Sequence, residues 1–292
     1  MIVTGGNGQV ATELKRLSSD LSYEFFDHSE LDICCSRSVF KCFATEKPSL
    51  VINAAAFTAV DNSENDPQGS LRVNHLGPEI LATACAERQI PLIHLSTDYV
   101  FDGTSNVPYS ELEEACPVGI YGQTKFDGEE CVRAKLDEYV VLRLSGIFSG
   151  HRSCFPRSIL KAALRFEELK IVNDQITGPT SGHSIAVILD LISQRALNGN
   201  LSWGTYHFAQ QPFLTWFEFA QIIIEKAEKM DLRFRGKKVS PISTQEYGAL
   251  APRPKYSCLD SSKLLKELGL DASILDREAD LHGAIRSILP AL

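Results

Sequence analysis

The sequence has 292 residues, of which 44% are hydrophobic and 23% are charged, with a formal net charge of −8 at pH 7. A chain of this size buries roughly 75% of the surface that its unfolded state exposes, so it can form a full core without disulfides. The composition excludes disordered and fibrous classes. The acidic balance disfavours nucleic acid or an anionic membrane as a partner.

No segment suggests export or membrane insertion. No run approaches the ~18 apolar residues that a membrane span requires, and the N-terminus lacks a basic segment followed by an apolar stretch. The eight cysteines include no C-x-x-C pair, and the histidines show no metal-ligand spacing. We therefore expect a cytoplasmic protein with free thiols and no required metal.

The first half of the chain alternates short apolar runs with amphipathic stretches. In chain order, the pattern predicts strand 1–4, helix 8–18, strand 23–26, helix 36–45, strand 50–54, helix 67–88, strand 92–96, helix 122–136 and strand 139–144. Strands that are buried on both faces and alternate with helices form parallel sheets covered by helices on each side. Residues 1–150 are therefore predicted to form a doubly wound α/β domain.

After residue 150 this alternation ends. The remaining pattern predicts helix 153–168, strand 170–172, helix 184–195, strand 205–208, helix 215–230 and a last helix near 261–268. We expect residues 151–292 to form mainly a smaller α+β substrate domain. It is predicted to be interleaved with the first domain, to which the chain returns near 182–200.

A glycine-rich turn follows the first predicted strand and precedes the first predicted helix. Gly5 suits the tight turn, Gly8 lets backbone N–H groups approach a pyrophosphate, and Ala11 permits close packing of the helix on the strand. Many glycine-rich turns bind nothing, but this one has the strand–turn–helix context of a dinucleotide site. The turn predicts a dinucleotide cofactor at the N-terminus of the first helix.

An acidic residue follows the second predicted strand at the distance expected for a ribose contact. Asp27 lies 19 residues after Gly8, close to the ~20 of dinucleotide-binding folds. A carboxylate there repels a 2′-phosphate and favours NADH over NADPH, although the neighbouring His28 could relieve the repulsion. The alternative is a solvent-exposed loop acid, so both cofactors stay open.

Tyr121 and Lys125 have the Y-x-x-x-K spacing, which places both side chains on one face of a helix. A cation beside the phenol would lower the pKa of Tyr121 from its ordinary ~10. Such a tyrosine can exchange a proton with a carbonyl oxygen while hydride moves to the adjacent carbon. Thr97 follows the fourth predicted strand, at the edge where α/β sheets bind ligands, and can share that oxygen. The alternatives are ordinary packing roles, or Ser96 as the hydroxyl donor.

With these motifs together, the chain is similar to the extended short-chain dehydrogenase/reductases. Within that superfamily it resembles the dTDP-4-dehydrorhamnose reductases over nearly its whole length. The resemblance rests on GGNGQVATEL (5–14), VINAAAFTAVDNSE (51–64), HLSTDYVFDG (94–103), YGQTKFDGE (121–129), DQITGPTSG (174–182), YHFA (206–209), TWFEFA (215–220) and RPKYSCLD (253–260).

The resemblance implies a Rossmann-type fold and a reaction, the NAD(P)H-dependent reduction of dTDP-4-dehydro-L-rhamnose to dTDP-L-rhamnose. It implies Thr97, Tyr121 and Lys125 as catalytic residues, with Tyr121 as proton donor to the C4 oxygen, and Asp98 as a substrate contact. Together with the glycine turn, the expected cofactor-binding residues are Gly5, Gly8, Gln9, Val10, Asp27, Asp32, Ile33, Ala54, Ala55, Ala56, Leu95, Tyr121 and Lys125.

Two further positions concern the substrate. The family often has R-T-S-W-V after the fifth core strand, whereas this chain has Gly146 at the tryptophan position. Loss of an indole is expected to open the sugar pocket, which leaves the exact sugar undecided. Arg253 is a candidate for the substrate diphosphate because its guanidinium forks onto phosphate oxygens; the alternative is a loop-stabilising role.

Three other functions stay open. One is a sibling reductase of the dihydrostreptose synthase type, acting on a rearranged dTDP-4-keto sugar. Another is a non-catalytic, nucleotide-binding regulatory subunit similar to the β subunit of methionine adenosyltransferase. The third is a nucleotide-sugar epimerase or dehydratase that recycles NAD within each turnover. The expected partners are a dTDP-sugar and, by analogy with the superfamily, a second copy in a homodimer.

Overall fold

The centre of the structure is a parallel sheet of six strands. A computed structural model describes all 292 residues, and its main sheet has the strand order β10-β5-β4-β3-β1-β2. Three smaller sheets pair β7 with β12, β6 with β9, and β8 with β11 and β13. The strands are β1 Ile2–Thr4, β2 Glu24–Phe26, β3 Val51–Asn53, β4 Leu92–Thr97, β5 Tyr139–Leu144, β6 Ile147–Phe148, β7 Glu168–Val172, β8 Ile176–Thr177, β9 Thr180–Ser181, β10 Gly204–Phe208, β11 Leu214–Thr215, β12 Lys238–Ile242 and β13 Tyr256–Ser257.

Helices cover both faces of the main sheet. The helices are α1 Gln9–Arg16, α2 Ser36–Glu46, α3 Val60–Asn65, α4 Pro67–Leu71, α5 Gly77–Ala86, α6 Ile120–Lys135, α7 Phe155–Ala163, α8 Gly182–Leu197, α9 Trp216–Met230, α10 Thr244–Tyr247, α11 Ser262–Leu268 and α12 Glu278–Ile288. No helix combines the length and apolar character that crossing a membrane requires.

Alternate strand residues enter two separate cores, because successive side chains of a strand point to opposite faces. Val3 and Ile52 pack with α1, α8 and α11 on one face. Ile2 and Val51 pack with α2, α5 and α6 on the other. The predicted Rossmann-type, doubly wound parallel sheet is therefore confirmed.

Segments from the second half of the chain complete the first sheet. Strand β10 pairs with β5, and helices α8 and α11 contribute to the core that contains β1. A separate core joins α7, α9 and α12 around Phe148 and Phe219. Helix α9 begins with a capping box, in which Thr215 accepts from the backbone of Glu218 and the glutamate side chain accepts in return, a pairing that satisfies two helix-end donors.

Some predicted elements were wrong. The continuous helix at 67–88 is divided by a π-helical turn, Arg72–Leu76, between α4 and α5. Pro78 explains the interruption, since proline has no N–H and its ring clashes with the carbonyl four residues before it. The helix near 261–268 is not the last, because α12 follows it with the apolar stripe Leu281, Ala284, Ile285 and Ile288. The short strand β12, which holds Pro241, was not predicted at all.

Candidate active site

A cavity of about 720 Å³ opens at the carboxyl ends of the central strands. The chain runs from β1 to β2 on one side of the sheet and then returns to β3 on the other, so β1 and β3 flank a topological switch point, where such sheets bind ligands. The predicted site residues that line the cavity are Gly5, Gly8, Gln9, Val10, Asp27, Ile33, Ala54, Ala55, Ala56, Leu95, Tyr121 and Lys125.

The glycine turn is shaped by close contact with the end of β3. Gly5 has φ +65°, and a Cβ there would lie 2.7 Å from the Ala54 carbonyl oxygen. Only glycine adopts this conformation without strain at such a distance. Gly8 caps α1 without any side-chain hydrogen bond, so the first N–H groups of the helix are available to a ligand.

The same wall carries a polar atom without a partner. The Gln9 Oε1 is buried and makes no hydrogen bond within the protein, although buried polar groups are normally paired. A glycine cradle, free helix N–H groups and an unpaired amide oxygen fit a dinucleotide pyrophosphate and its ribose.

Asp27 sits at the cavity wall directly after β2, and its carboxylate accepts several hydrogen bonds. The donors are Ser29 Oγ at 2.7 Å, Ser29 N at 2.9 Å and Asn7 Nδ2 at 2.8 Å. The bonds from Ser29 hold the pKa of Asp27 below its ordinary value, so the group is charged at neutral pH. Asp32 differs from the expectation, because it does not line the cavity and pairs with Arg72 at 3.5 Å.

The three expected catalytic residues lie together. Thr97 is the last residue of β4, and Tyr121 and Lys125 occupy successive turns at the start of α6. Thr97 lies beside Tyr121, and its hydroxyl acts to lower the pKa of that phenol, although only Tyr121 and Lys125 line the cavity itself. The Lys125 Nζ donates a 2.6 Å hydrogen bond to the carbonyl oxygen of Leu95.

Burial determines the protonation of this group. Burial raises the pKa of Tyr121 to about 12, and the hydrogen bond with Thr97 only partly opposes that rise. Burial also lowers the pKa of Lys125 to about 8, against the negative charge of Glu129. The expectation that Lys125 lowers the pKa of Tyr121 was therefore wrong, because the ammonium group binds Leu95 and does not offset the burial of the phenol.

Asp98 is buried beside Thr97 but outside the cavity lining. It accepts hydrogen bonds from Ser145 Oγ at 2.8 Å and from Thr97 Oγ1 at 3.1 Å. Burial outweighs these bonds and raises the pKa of Asp98 to about 6. The carboxyl group therefore titrates close to neutrality.

The space beside Gly146 is filled. Its φ is +53°, and a Cβ on it would lie 3.0 Å from the Cα of Pro179. A larger side chain here would press on the segment that holds Pro179, and Gly146 does not line the cavity. The expected opening of the sugar pocket stays a prediction.

Arg253 is already paired. Its guanidinium binds both carboxylate oxygens of Asp61, at 3.1 and 2.9 Å, and the carbonyl oxygen of Ala251 at 3.0 Å. This fork-to-fork geometry gives strong, oriented hydrogen bonds. It ties the segment before β13 to helix α3, outside the cavity lining.

Two residues near the site were missed by the sequence interpretation. Arg152 lines the cavity and donates through Nε to Thr12 Oγ1 at 3.2 Å, which brings a cation to α1. No local pattern marks it. Glu129 lies fully buried on α6, one turn beyond Lys125; an acidic residue four positions after the lysine of Y-x-x-x-K was the signal that could have found it.

The parallel sheet, its glycine turn and the Tyr–Lys helix beside Thr97 define a short-chain dehydrogenase/reductase, a class of NAD(P)H-dependent oxidoreductases. The sequence model of the family described as RmlD substrate binding domain matches residues 1–279. The dTDP-4-dehydrorhamnose reductase of Aggregatibacter actinomycetemcomitans is 35% identical over 277 residues, which is 94% of each chain. The chain therefore belongs to the dTDP-4-dehydrorhamnose reductase family, as its resemblance predicted.

Solved structures agree with this assignment. A dTDP-4-dehydrorhamnose reductase from Clostridium acetobutylicum has a TM-score of 0.89 and 31% identity, and the match covers 100% of this chain and 99% of that one. The reductase of Bacillus anthracis, solved in complex with NADP, has a TM-score of 0.87 and 28% identity, with 100% and 98% coverage. The expectations of a homodimer, a cytoplasmic location and no required metal stay predictions.

Proposed function

We propose that the protein reduces the C4 ketone of dTDP-4-dehydro-L-rhamnose with NADH or NADPH and releases dTDP-L-rhamnose. The observation that carries this proposal is that Tyr121 and Lys125 line the same cavity as the glycine turn. A proton donor and a cofactor cradle in one cavity are what a ketone reduction needs. Family membership supports the choice of sugar.

The protein's own part in the reaction is to hold the ketone and supply a proton. A bound nicotinamide supplies hydride to C4. Tyr121 is protonated at neutral pH because burial raises its pKa to about 12, so its hydroxyl can donate to the ketone oxygen as negative charge develops there. Thr97 lies beside that phenol and would share the ketone oxygen with it. Lys125, fixed on Leu95, keeps a cation at the cavity wall.

The cofactor is proposed to extend from the glycine turn to α6. Gly5, Gly8, Gln9 and Val10 would hold the pyrophosphate, and Arg152 adds a cation there. Asp27 and Ile33 would contact the adenosine, while Asp32, engaged with Arg72, supports that loop from behind. The dinucleotide would then pass along a strip of small and apolar residues formed by Ala54, Ala55, Ala56 and Leu95.

The substrate is proposed to enter from the side of residues 151–292, where α7, α9 and α12 build a separate core. Asp98 and Thr97 would face the sugar, next to the backbone at Gly146. Arg253 would contact the diphosphate only through donors not used by Asp61, such as Nε. The division into a cofactor domain, 1–150 with returns near 182–200, and a substrate domain is part of this proposal.

NADH is the proposed preferred cofactor. The charged carboxylate of Asp27 at the cavity wall repels a 2′-phosphate. The exposed His28 lies next to Asp27 and also lines the cavity. The Bacillus anthracis relative was solved with NADP, so the assay compares both cofactors.

The experiment is a change of absorbance at 340 nm with dTDP-4-dehydro-L-rhamnose and either cofactor. We expect cofactor oxidation with dTDP-L-rhamnose as product, and a loss of about 10²-fold or more in kcat for Tyr121→Phe. Tyr99→Phe is the matched control, since that ring contacts Tyr121 at 5.7 Å but lies outside the cavity lining. Binding of cofactor without oxidation would refute the proposal and favour a sibling sugar or a regulatory subunit.

A further inference from the structure

A buried carboxylate connects the catalytic helix to the main sheet. Glu129 is fully buried and lies on α6, four residues after Lys125. It accepts a short hydrogen bond from Ser96 Oγ. Arg143 of β5 donates to it through Nε at 3.0 Å and Nη2 at 2.7 Å, and Arg133 donates through Nη2 at 2.7 Å. Every one of these contacts ties α6 to a strand or to another turn of the same helix.

The side chains of Lys125 and Glu129 bind two adjacent residues of β4. Lys125 binds the carbonyl oxygen of Leu95, and Glu129 binds the side chain of the next residue, Ser96. The following residue is Thr97, whose hydroxyl lies close enough to Tyr121 to lower the pKa of that phenol. Leu95 and Ser96 therefore anchor two successive turns of α6, and the end of β4 lies beside the turn that carries Tyr121.

The arginines extend this anchor to the edge of the sheet. The Nη1 of Arg143 lies 3.4 Å from the Nε2 of His207 on β10. Arg133 donates a 3.1 Å hydrogen bond to the Oγ1 of Thr205 on the same strand. His207 is neutral, because burial lowers its pKa to about 3. Glu129 is thus the buried carboxylate among two arginines and a lysine, while the exposed Glu130 pairs only with Arg133.

We propose that Glu129 is a positioning residue for the reduction, which holds α6 against β4 and places a buried negative charge one helical turn from Lys125. This inference rests on the proposed function. Glu129 does not line the cavity and acts only through Lys125 and Tyr121.

The charges around Lys125 support the electrostatic part. Burial raises the pKa of Glu129, but the hydrogen bonds and charge of Arg143 outweigh it and hold that pKa below its ordinary value, so the group is ionised. From β4, His94 faces the lysine as a neutral ring, its pKa lowered by burial and by the Lys125 charge. From α6, Tyr121 is protonated. Removal of the Glu129 charge would leave only cations near Lys125.

The test compares Glu129→Gln with the wild type in the 340 nm assay across pH 6 to 10. We expect the alkaline limb of kcat, set by loss of the Lys125 ammonium, to move about 1 pH unit lower in the variant, as loss of a nearby opposite charge would produce. At pH 8 we expect kcat to fall about tenfold, from the lost charge and register together. An unchanged limb with unchanged kcat would overturn the proposal.

Asp190→Asn is the matched control. This buried carboxylate on α8 also accepts several hydrogen bonds, including one from Tyr23 at 2.8 Å, but it does not line the cavity. We expect its loss to lower thermal stability without moving the pH limb. If both variants moved the limb equally, the effect of Glu129 would be general destabilisation and the proposal would fail.

Two additions keep the result decisive. If Glu129→Gln does not fold, Glu129→Asp is measured in its place. Aspartate keeps the negative charge but is too short to reach Ser96, so we expect the alkaline limb to stay and kcat to drop about fivefold or more. An unaltered kcat overturns the proposal. A wild type that oxidises neither cofactor refutes the proposed function. In that case a ¹⁵N NMR titration of the Lys125 Nζ in the wild type and in folded Glu129→Gln tests the role of Glu129. The pKa of Lys125 should be lower in the variant if the proposal holds, and it should be identical in the two proteins if the proposal fails.

Discussion

The ammonium group of Lys125 donates its hydrogen bond to the backbone of Leu95, at 2.6 Å, and not to the phenol of Tyr121. The two side chains of the Y-x-x-x-K motif thus share a cavity but have separate partners. The lysine is bound to the strand end, while the tyrosine lies beside Thr97. The separate partners predict that Lys125 acts on the cofactor and Tyr121 on the substrate.

Lys125→Met is expected to weaken cofactor binding. The change removes the cation from the cavity wall and leaves the buried carbonyl of Leu95 without its donor. A hydrogen bond from the ammonium group to the cofactor would contribute about 1.5–3 kcal/mol, so its loss should raise the dissociation constant for NADH about 10-fold or more. Quenching of the intrinsic fluorescence measures it without any substrate. If Lys125→Met bound NADH as tightly as Tyr121→Phe does, the proposed separate roles of Lys125 and Tyr121 would be contradicted.

Gly5→Ala is expected to damage both folding and cofactor binding. A Cβ at this position would meet the Ala54 carbonyl oxygen at 2.7 Å on a backbone with φ +65°. Strain of this kind costs about 1–3 kcal/mol before any displacement of β3 is counted.

Gly199→Ala is the matched control for Gly5→Ala. Gly199 has φ +68°, but nothing lies within 4 Å of its added Cβ. Urea unfolding should show a loss of only about 1 kcal/mol there, with NADH binding intact. Equal losses in the two variants would show that the contact with Ala54 does not matter.

Asp98 should make stability depend on pH in the direction opposite to an ordinary surface acid. Its pKa is raised to about 6 in the folded protein, against ~3.9 in the unfolded chain. As pH rises through this interval the unfolded state ionises first, so this group lowers the free energy of unfolding between pH 4 and 6.

Asp98→Asn removes that titration. The wild type loses up to about 3 kcal/mol of unfolding free energy through this titration, and the variant does not. The free energy of unfolding of the variant, taken relative to the wild type, should therefore be higher at pH 7 than at pH 4 by up to that amount. Urea unfolding at pH 4 and pH 7 measures this double difference. A constant difference between the two proteins would show that the carboxyl group does not titrate in this interval.

Asp27→Asn is expected to change cofactor choice. The charged carboxylate at the cavity wall repels a 2′-phosphate, and an amide of the same shape does not. We expect the ratio of kcat/KM for NADPH over NADH to rise about tenfold, since loss of a repulsive element alters specificity directly. Asp32→Asn serves as the control, because that carboxylate pairs with Arg72 outside the lining. An unaltered ratio in Asp27→Asn would exclude the carboxylate as the determinant.

Local pattern and motif spacing predicted the parallel half of the fold well. Gly5, Gly8 and Ala11 identified a turn that the structure places at the switch point, and Tyr121 and Lys125 do share one face of α6. These features depend on neighbours in sequence, which periodicity and spacing report. The strand end offered Thr97 and Ser96, and family resemblance favoured Thr97 and supplied the choice of substrate.

Long-range pairing was what the sequence could not show. The position of Pro179 beside Gly146, the pairing of Arg253 with Asp61 and the burial of Tyr121 all depend on segments far apart in the chain. Each reversed or limited an expectation drawn from one residue's chemistry. The pKa of Tyr121 is the clearest case, since the spacing to Lys125 was read correctly but the dominant effect was desolvation.

The edge position of β10 also has a consequence during synthesis. When the ribosome has made residues 1–150, β5 exposes an unpaired edge, and the face with α1 lacks α8 and α11. Open strand edges and uncovered apolar faces promote aggregation. The sheet gains its last strand, β10, only after residue 208 has emerged from the ribosome, and its core is complete only after α11. The nascent first half should therefore be prone to aggregate, and a fragment that ends at residue 150 should be insoluble when expressed alone.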